Sequence, residues 1–178
     1  MLADVRYSIC LVLCNALLRL PGHQFRVAVL RRLVLAEVGE RCAIQRGVRI
    51  TTRGGLRIGD GTIIGRKTVL EASGGLTIGR SVNISAEAIL FSGDHDPQSP
   101  TFTARMRPTV VGDRAWVAAR AIVMPGTEIG EGVIVAAGAV ALGRIPARTI
   151  VAGNPAVPIG ERDPAAQSVL PSYRRFLF

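Results

Sequence analysis

Aliphatic residues recur along this chain at a spacing that fits neither an amphipathic helix nor a half-buried alternating strand. They fall every six residues: Val38, Ile44, Ile50, then Ile58, Ile64, Leu70, then Ile78, Ile84, Leu90. Each triplet begins 20 residues after the last, because Gly54-Gly55 and Gly74-Gly75 insert the same two-residue extension. After a break at residues 91–110 the step resumes at Val111, Val117, Val123, Ile129, Val135 and Ala141. Four residues beyond most of these stands a small or β-branched residue: Val48, Thr62, Thr68, Val82, Ala88, Ala115, Ala121, Thr127, Val133 and Ala139. Directly behind several of them comes a glycine: Gly39, Gly59, Gly65, Gly79, Gly112 and Gly130. A step of six is one short strand plus a tight bend, and three steps close a triangular coil. Stacked coils put like positions in register, so the pattern predicts a parallel β-helix with the aliphatics laddered inside. The glycines are expected to serve its corners by adopting positive φ.

Two segments lie outside the repeat. Residues 2–20 read as a helix with a narrow polar stripe (Asp4, Ser8, Asn15, Arg19) and apolar residues nearly everywhere else. Pro21-Gly22 ends it, and residues 23–36 read as a second helix of less tidy patterning. The tail after Gly160 carries Pro164 and Pro171, and no element is predicted there. The chain thus divides into an N-terminal helical segment (1–37), a β-helix domain (38–160) and a tail (161–178).

Composition narrows the class. A 178-residue chain with 48% hydrophobic and 20% charged residues is not intrinsically disordered. Only 4% aromatics beside 20 glycines suits thin, repetitive β structure. The twelve residues between Arg6 and Arg19 carry no charge but are too few to span a bilayer. Three cysteines, Cys10, Cys14 and Cys42, argue against a disulfide framework and for a reducing compartment, and read as small buried residues. The net charge of +9 is nearly all arginine and permits nucleic acid, anionic membrane or a polyanionic ligand. Arg41, Arg46, Arg49, Arg53, Arg57 and Arg66 cluster in the first coils. No aromatics interleave with them, which fits a solvated basic face better than a nucleic-acid surface.

Four features together resemble the hexapeptide-repeat acyltransferases: the hexads, the loop Gly93-Asp94-His95-Asp96-Pro97, the step Val111-Gly112-Asp113-Arg114-Ala115-Trp116-Val117, and Ile150-Val151-Ala152-Gly153-Asn154-Pro155-Ala156. The His-Asp-Pro loop followed by Pro100-Thr101-Phe102 is most similar to the colanic-acid type of polysaccharide-biosynthesis O-acetyltransferase. The resemblance covers residues 38–160 and, more loosely, the helix from His23. It implies an all-β, left-handed parallel β-helix of about five triangular coils, with N-terminal helices and a projecting loop at 91–110. It further implies a homotrimer that binds acetyl-CoA in a groove between neighbouring β-helices. No metal is expected.

The chemistry centres on His95. Moving an acyl group from a thioester to a hydroxyl needs a base that works near neutral pH, and imidazole has that basicity. The chain has two histidines, and His95 lies in the one long break of the repeat, while His23 reads as a surface or helix-end residue. Asp94 and Asp96 either orient the imidazole or close turns on their own backbone, turn closure being favoured. By the resemblance, Trp116 gives the acceptor a flat wall, and the backbone N–H of Ala119 faces the oxygen that becomes negative. Glu71 either contacts the acceptor or is an exposed corner residue. Acetyl-CoA would contact Ala119, Ala137 and Gly138, with Gly153, Asn154 and Pro155 closing the far end. Relatives follow that turn with a basic residue, whereas this chain has Val157-Pro158-Ile159-Gly160. The cation for the 3′-phosphate is therefore expected from Arg162, with Arg148 and Arg144 as alternatives, and Arg120 stands where a small residue is usual.

The resemblance, with these residues, implies direct O-acetyl transfer from acetyl-CoA to a saccharide hydroxyl, free or lipid-linked, in the cytoplasm. The competing readings are a non-catalytic trimeric scaffold and an anion-binding module. A γ-class carbonic anhydrase shares the fold but resembles a three-histidine zinc site, which one histidine in this region does not supply. The N-terminal helix is expected either to lie on the anionic inner face of a membrane or to cap the open end of the β-helix or pack on a neighbouring subunit, a cleaved signal peptide being disfavoured by Asp4 and by the cytoplasmic location of acetyl-CoA.

Overall fold

The computed structural model describes residues 2–166. Three parallel sheets form the faces of a triangular prism, matching the left-handed β-helix of hexapeptide-repeat acetyltransferases. The first face holds Glu37–Val38, Leu56–Ile58, Leu76–Ile78, Thr109–Val111, Glu128–Ile129 and Arg144–Ile145. The second holds Ala43–Ile44, Ile63–Ile64, Asn83–Ile84, Trp116–Val117, Ile134–Val135 and Thr149–Gly153, with Ala156–Glu161 returning antiparallel at the edge. The third holds Arg49–Ile50, Val69–Leu70, Ile89–Leu90, Ile122–Val123 and Val140–Ala141.

Register confirms the six-residue ladder. Ile44 pairs with Ile64, Ile64 with Ile84, Ile84 with Val117, Val117 with Val135, and Val135 with Val151. All of these are buried, as are the ten small or β-branched residues four positions further on. The threonines among them direct their hydroxyls to backbone carbonyls, Thr62 to Gly79 at 2.7 Å and Thr127 to Met124 at 2.6 Å, so no buried oxygen is left unpaired there. The ladder runs further than the sequence suggested. Ile145 and Val151 add a sixth rung on two faces, and the third face has five. A shortened bend between Ala141 and Ile145 breaks the six-step and hides this rung.

The corner glycines act differently from expectation. Positive φ belongs instead to residues later in each bend, several of them charged: Arg41, Lys67, Glu87, Arg114, Arg120 and Arg148. The glycine behind each aliphatic is needed because the next coil passes too close. A Cβ on Gly65 would sit 2.5 Å from the Ser85 carbonyl carbon, inside any permitted contact.

The open N-terminal end of the prism exposes strand edges that need partners. Two helices supply them, α1 (Leu2–Leu17) and α2 (His23–Val29), the latter passing into a π-helical turn, Leu30–Val34. The Asn15 side chain mimics a strand: its amide donates to the Ile50 carbonyl (2.8 Å) and its oxygen accepts from the Ile50 N–H (2.9 Å). Arg26 is wholly buried, donating Nε to Ile44 O and Nη1 to Leu20 O, each at 2.6 Å. Burial lowers its pKa, with Arg46 adding to the effect. Thus the untidy pattern of residues 23–36 hides an arginine that caps a sheet edge, and Arg26 is removed from any role at a surface. Among the described residues no helix is long and apolar enough to cross a membrane.

Candidate active site

The break at 91–110 folds as a hairpin rooted at the corner between the third and first faces. Gly93–His95 pairs antiparallel with Ala104–Met106, setting Asp94 opposite Arg105 and His95 opposite Ala104. Glu71, one residue past Leu70, fastens its root. One carboxylate oxygen accepts from the Ser73 N–H (2.7 Å), the other from the N–H groups of Ser92 and Gly93 (2.8 Å each). Burial alone would raise the Glu71 pKa, but these donors, led by Ser73, outweigh it and hold the carboxyl below its usual range.

His95 is exposed, and its ring lies flat on Phe102, centroids 4.4 Å apart at 6°. Nδ1 stands 2.8 Å from the Phe102 carbonyl oxygen. A carbonyl only accepts, so the neutral ring carries its proton on Nδ1 and presents the lone pair of Nε2. Phe102 turns its carbonyl inward from a left-handed backbone at φ 51°, an unusual place for an aromatic residue. Neither neighbouring acid orients the ring. Asp94 binds the Arg105 guanidinium through two contacts of 3.0 Å and Arg107 at 2.5 Å, and Arg105 first, then Arg107, holds its carboxyl well below the usual range. Asp96 closes a turn by accepting from the Gln98 N–H at 3.0 Å.

A second group lies at the corner between the second and third faces. Two residues past the paired Val117, Val135 and Val151 stand Ala119, Ala137 and Gly153, exposed and stacked in register along the prism. Their side chains are a methyl or nothing, which leaves the backbone open to a narrow, extended ligand such as a pantetheine arm. The Ala119 carbonyl accepts from the Gly138 N–H at 3.0 Å. The amides of Ala118 and Arg120 are spent on Val135 and Ala86, whereas the Ala119 N–H has no acceptor among the described residues. The turn through Asn154 and Pro155 closes this column. Trp116 lies beside it on the second face, 42% exposed, its indole N–H held by Ser85 Oγ at 2.9 Å.

One copy of the chain therefore gathers Glu71, Asp94, His95 and Asp96 at one corner and Trp116, Ala119, Ala137, Gly138, Gly153, Asn154 and Pro155 at another. It does not bring the two sets together. Arg162 belongs to neither: its Nη1 donates to the carbonyls of Arg114 (2.9 Å) and Gly132 (3.2 Å) at the corner between first and second faces, where Arg148 also lies. Arg144 projects from the first face beside Glu128. The cations that share the Ala119 corner are Arg46, Arg66, Lys67 and Arg120, the last tied to Glu87 at 2.9 Å. Sequence reasoning gave no role to Phe102, Arg105 or Arg107. The Arg-x-Arg spacing marks one side of a strand and was the available signal for the clamp on Asp94. Among the described residues no group of three His, Cys, Asp or Glu is gathered to hold a metal.

Comparison with known proteins bears on the family and the fold. Residues 108–143 match the family described as bacterial transferase hexapeptide (six repeats). A protein of Escherichia coli K12 named as a colanic acid biosynthesis acetyltransferase, WcaF, is 38% identical over 135 residues, 76% of this chain and 74% of its own. Among solved structures, a hexapeptide-repeat acetyltransferase of Vibrio cholerae complexed with acetyl-CoA superposes with a TM-score of 0.80 at 22% identity, covering 90% of this chain and 88% of its own. A maltose O-acetyltransferase of Clostridium difficile gives a TM-score of 0.80 at 21% identity, covering 91% and 89%. With the ladder, the hairpin and a relative of this identity over three quarters of its length, the chain belongs to the hexapeptide-repeat acetyltransferases.

Proposed function

We propose that this protein transfers an acetyl group from acetyl-CoA to a saccharide hydroxyl, with His95 as general base and no acyl-enzyme. The observation that carries the reading is the 2.8 Å contact between His95 Nδ1 and the Phe102 carbonyl, which fixes the tautomer with Nε2 free to take a proton. Acetyl-CoA supplies the thioester. Nε2 removes the hydroxyl proton as the acceptor oxygen bonds to the acyl carbon, and returns it to the departing sulfur as the C–S bond breaks. The Ala119 N–H is suited to the carbonyl oxygen on which charge collects. Gly138 and the Gly153-Asn154-Pro155 turn line the donor column, and Arg120 follows Ala119 in the same bend. Trp116 offers the acceptor ring a wall. Glu71 acts through the hairpin it anchors, and Asp94 and Asp96 shape that hairpin.

Because hairpin and donor column occupy different corners, the complete site calls for a neighbouring copy, which supports a homotrimer with sites between subunits. The name of the E. coli relative, which refers to colanic acid biosynthesis, favours a saccharide of polysaccharide assembly as acceptor. We place the reaction in the cytoplasm, on a free or lipid-linked sugar. The test is to supply acetyl-labelled acetyl-CoA with a panel of saccharides. The reading expects label as an O-acetyl ester on one of them. Stoichiometric label trapped on the protein with no acceptor present would refute the direct route.

A further inference from the structure

The helix α1 has two faces, and the β-helix uses one. Cys14 and Leu18 are completely buried against the prism, Cys10 donates its thiol to the Leu33 carbonyl at 3.3 Å, and Asn15 binds the Ile50 edge. On the opposite side, at helical spacing, Val5, Ile9, Val12 and Ala16 form a ridge exposed to solvent. Ile9 is 61% and Val12 71% exposed, and Leu13 flanks them at 49%. Leu20 and Phe25, at the junction with α2, extend the apolar surface. Single exposed apolar residues are ordinary, but a continuous ridge along a helix already docked by its other face is not.

Charge identifies the occupant. Residues 5–36 carry Arg6, Arg19, Arg26, Arg31 and Arg32 and neither aspartate nor glutamate. Arg26 is the buried cap and Arg31 donates to the Val38 and Gly39 carbonyls, while Arg6, Arg19 and Arg32 are exposed. We propose that this ridge lies in the surface of an anionic lipid bilayer, with Val5, Ile9, Val12 and Leu13 entering the headgroup boundary and Arg6, Arg19 and Arg32 meeting lipid phosphates. A second copy of the chain fits less well. Two such ends face to face would oppose arginines to arginines, with Asp4 as the one acid of α1 to offset them. The helix lies on the membrane and does not cross it, since sixteen residues at about 1.5 Å each fall short of a bilayer core. The two expectations for this segment, cap and membrane contact, are thereby assigned to opposite faces of one helix.

The test is flotation of the full chain with vesicles of phosphatidylcholine alone or with a quarter phosphatidylglycerol, at low and high salt. It needs no catalysis, so its outcome is separate from that of the proposed reaction. Wild type is expected to float with the anionic vesicles and to be released by high salt. The double variant Ile9→Glu/Val12→Glu should lose at least about tenfold in retention, and Arg6→Gln/Arg19→Gln should lose several-fold on anionic vesicles alone, both with unchanged thermal melting because the side chains are exposed. Wild type remaining in the soluble fraction overturns the proposal, as does equal flotation of the Glu variant. Light scattering in which the Glu variant alone drops in mass, without wild-type flotation, would make the ridge a contact between copies and also overturn it.

Discussion

Replacing Glu71 by Gln should loosen the root of the hairpin while leaving the donor column intact. The carboxylate receives N–H groups from Ser73, Ser92 and Gly93 through both oxygens. An amide keeps the shape but has only one accepting oxygen. In the cheaper orientation that oxygen serves Ser92 and Gly93, and the NH2 confronts the Ser73 N–H, so one bond to a charged acceptor is lost and two become neutral. At about 1.5–3 kcal/mol for a bond to a charged group and about 1 for a neutral one, reduced for partial exposure, the root weakens by roughly 1–2 kcal/mol. If His95 acts only when the hairpin is closed, kcat falls about 5- to 20-fold, while KM for acetyl-CoA stays within about twofold because Ala119 lies at another corner. Stability carries a second signature. The folded pKa of Glu71 is depressed, so its stabilisation is present above the unfolded value near 4.3 and is lost as pH falls through the folded value. The stability gap between wild type and Glu71→Gln, read by urea titration, should be full at pH 7 and shrink below about pH 4. A variant with kcat within twofold of wild type, or one whose main defect is a raised acceptor KM, refutes the reasoning and returns Glu71 to direct acceptor contact.

The remaining predictions concern the cap, the coil spacing and the shared site. Arg26→Met should lower stability by about 2–4 kcal/mol in chemical denaturation, since the carbonyls of Ile44 and Leu20 lose a buried donor, and a loss below about 0.5 would contradict the cap. Gly65→Ala forces a methyl group against the Ser85 backbone and should cost more than about 2 kcal/mol, whereas Gly160→Ala, with open space around it, should be near neutral by thermal melting. Mixing His95→Ala and Ala137→Trp subunits at equal ratio should restore about a quarter of wild-type activity from two inactive parents, because a site built from two copies is intact in that fraction of random pairings. No restoration would place hairpin and column in one copy.

Much of this fold is written in the chain because a β-helix repeats its physics every six residues. Ile64 and Ile84 face the same interior and are chosen for the same reason, so periodicity finds them. The sixth rung escaped because the bend from Ala141 to Ile145 is shortened, and periodicity has no purchase where the period changes. The glycines were found but their reason was not. Whether Gly65 needs positive φ or bare space depends on the neighbouring coil, which is twenty residues away in sequence. Arg26 shows the converse. A cationic residue amid Phe25, Val27 and Val29 reads as a break in amphipathicity, and only the open edge at Ile44 explains its burial. In the site, His95 stood out by its residue type and its loop. Its partner is a backbone carbonyl, which any residue could supply, so Phe102 left no mark of function. Arg162 was chosen by nearness in sequence to the Asn154-Pro155 turn, but the returning strand Ala156–Glu161 carries it back to another corner.

The central claim is that His95 takes the acceptor proton during direct acetyl transfer, and release of free thiol from acetyl-CoA by wild type and His95→Ala, with and without a saccharide acceptor, tests it most directly. Wild-type release should depend on acceptor, and the variant should lose roughly 10²- to 10⁴-fold in kcat with acetyl-CoA affinity unchanged. A variant that keeps more than about a tenth of the wild-type rate, or a wild type that releases thiol equally fast without acceptor, would contradict it.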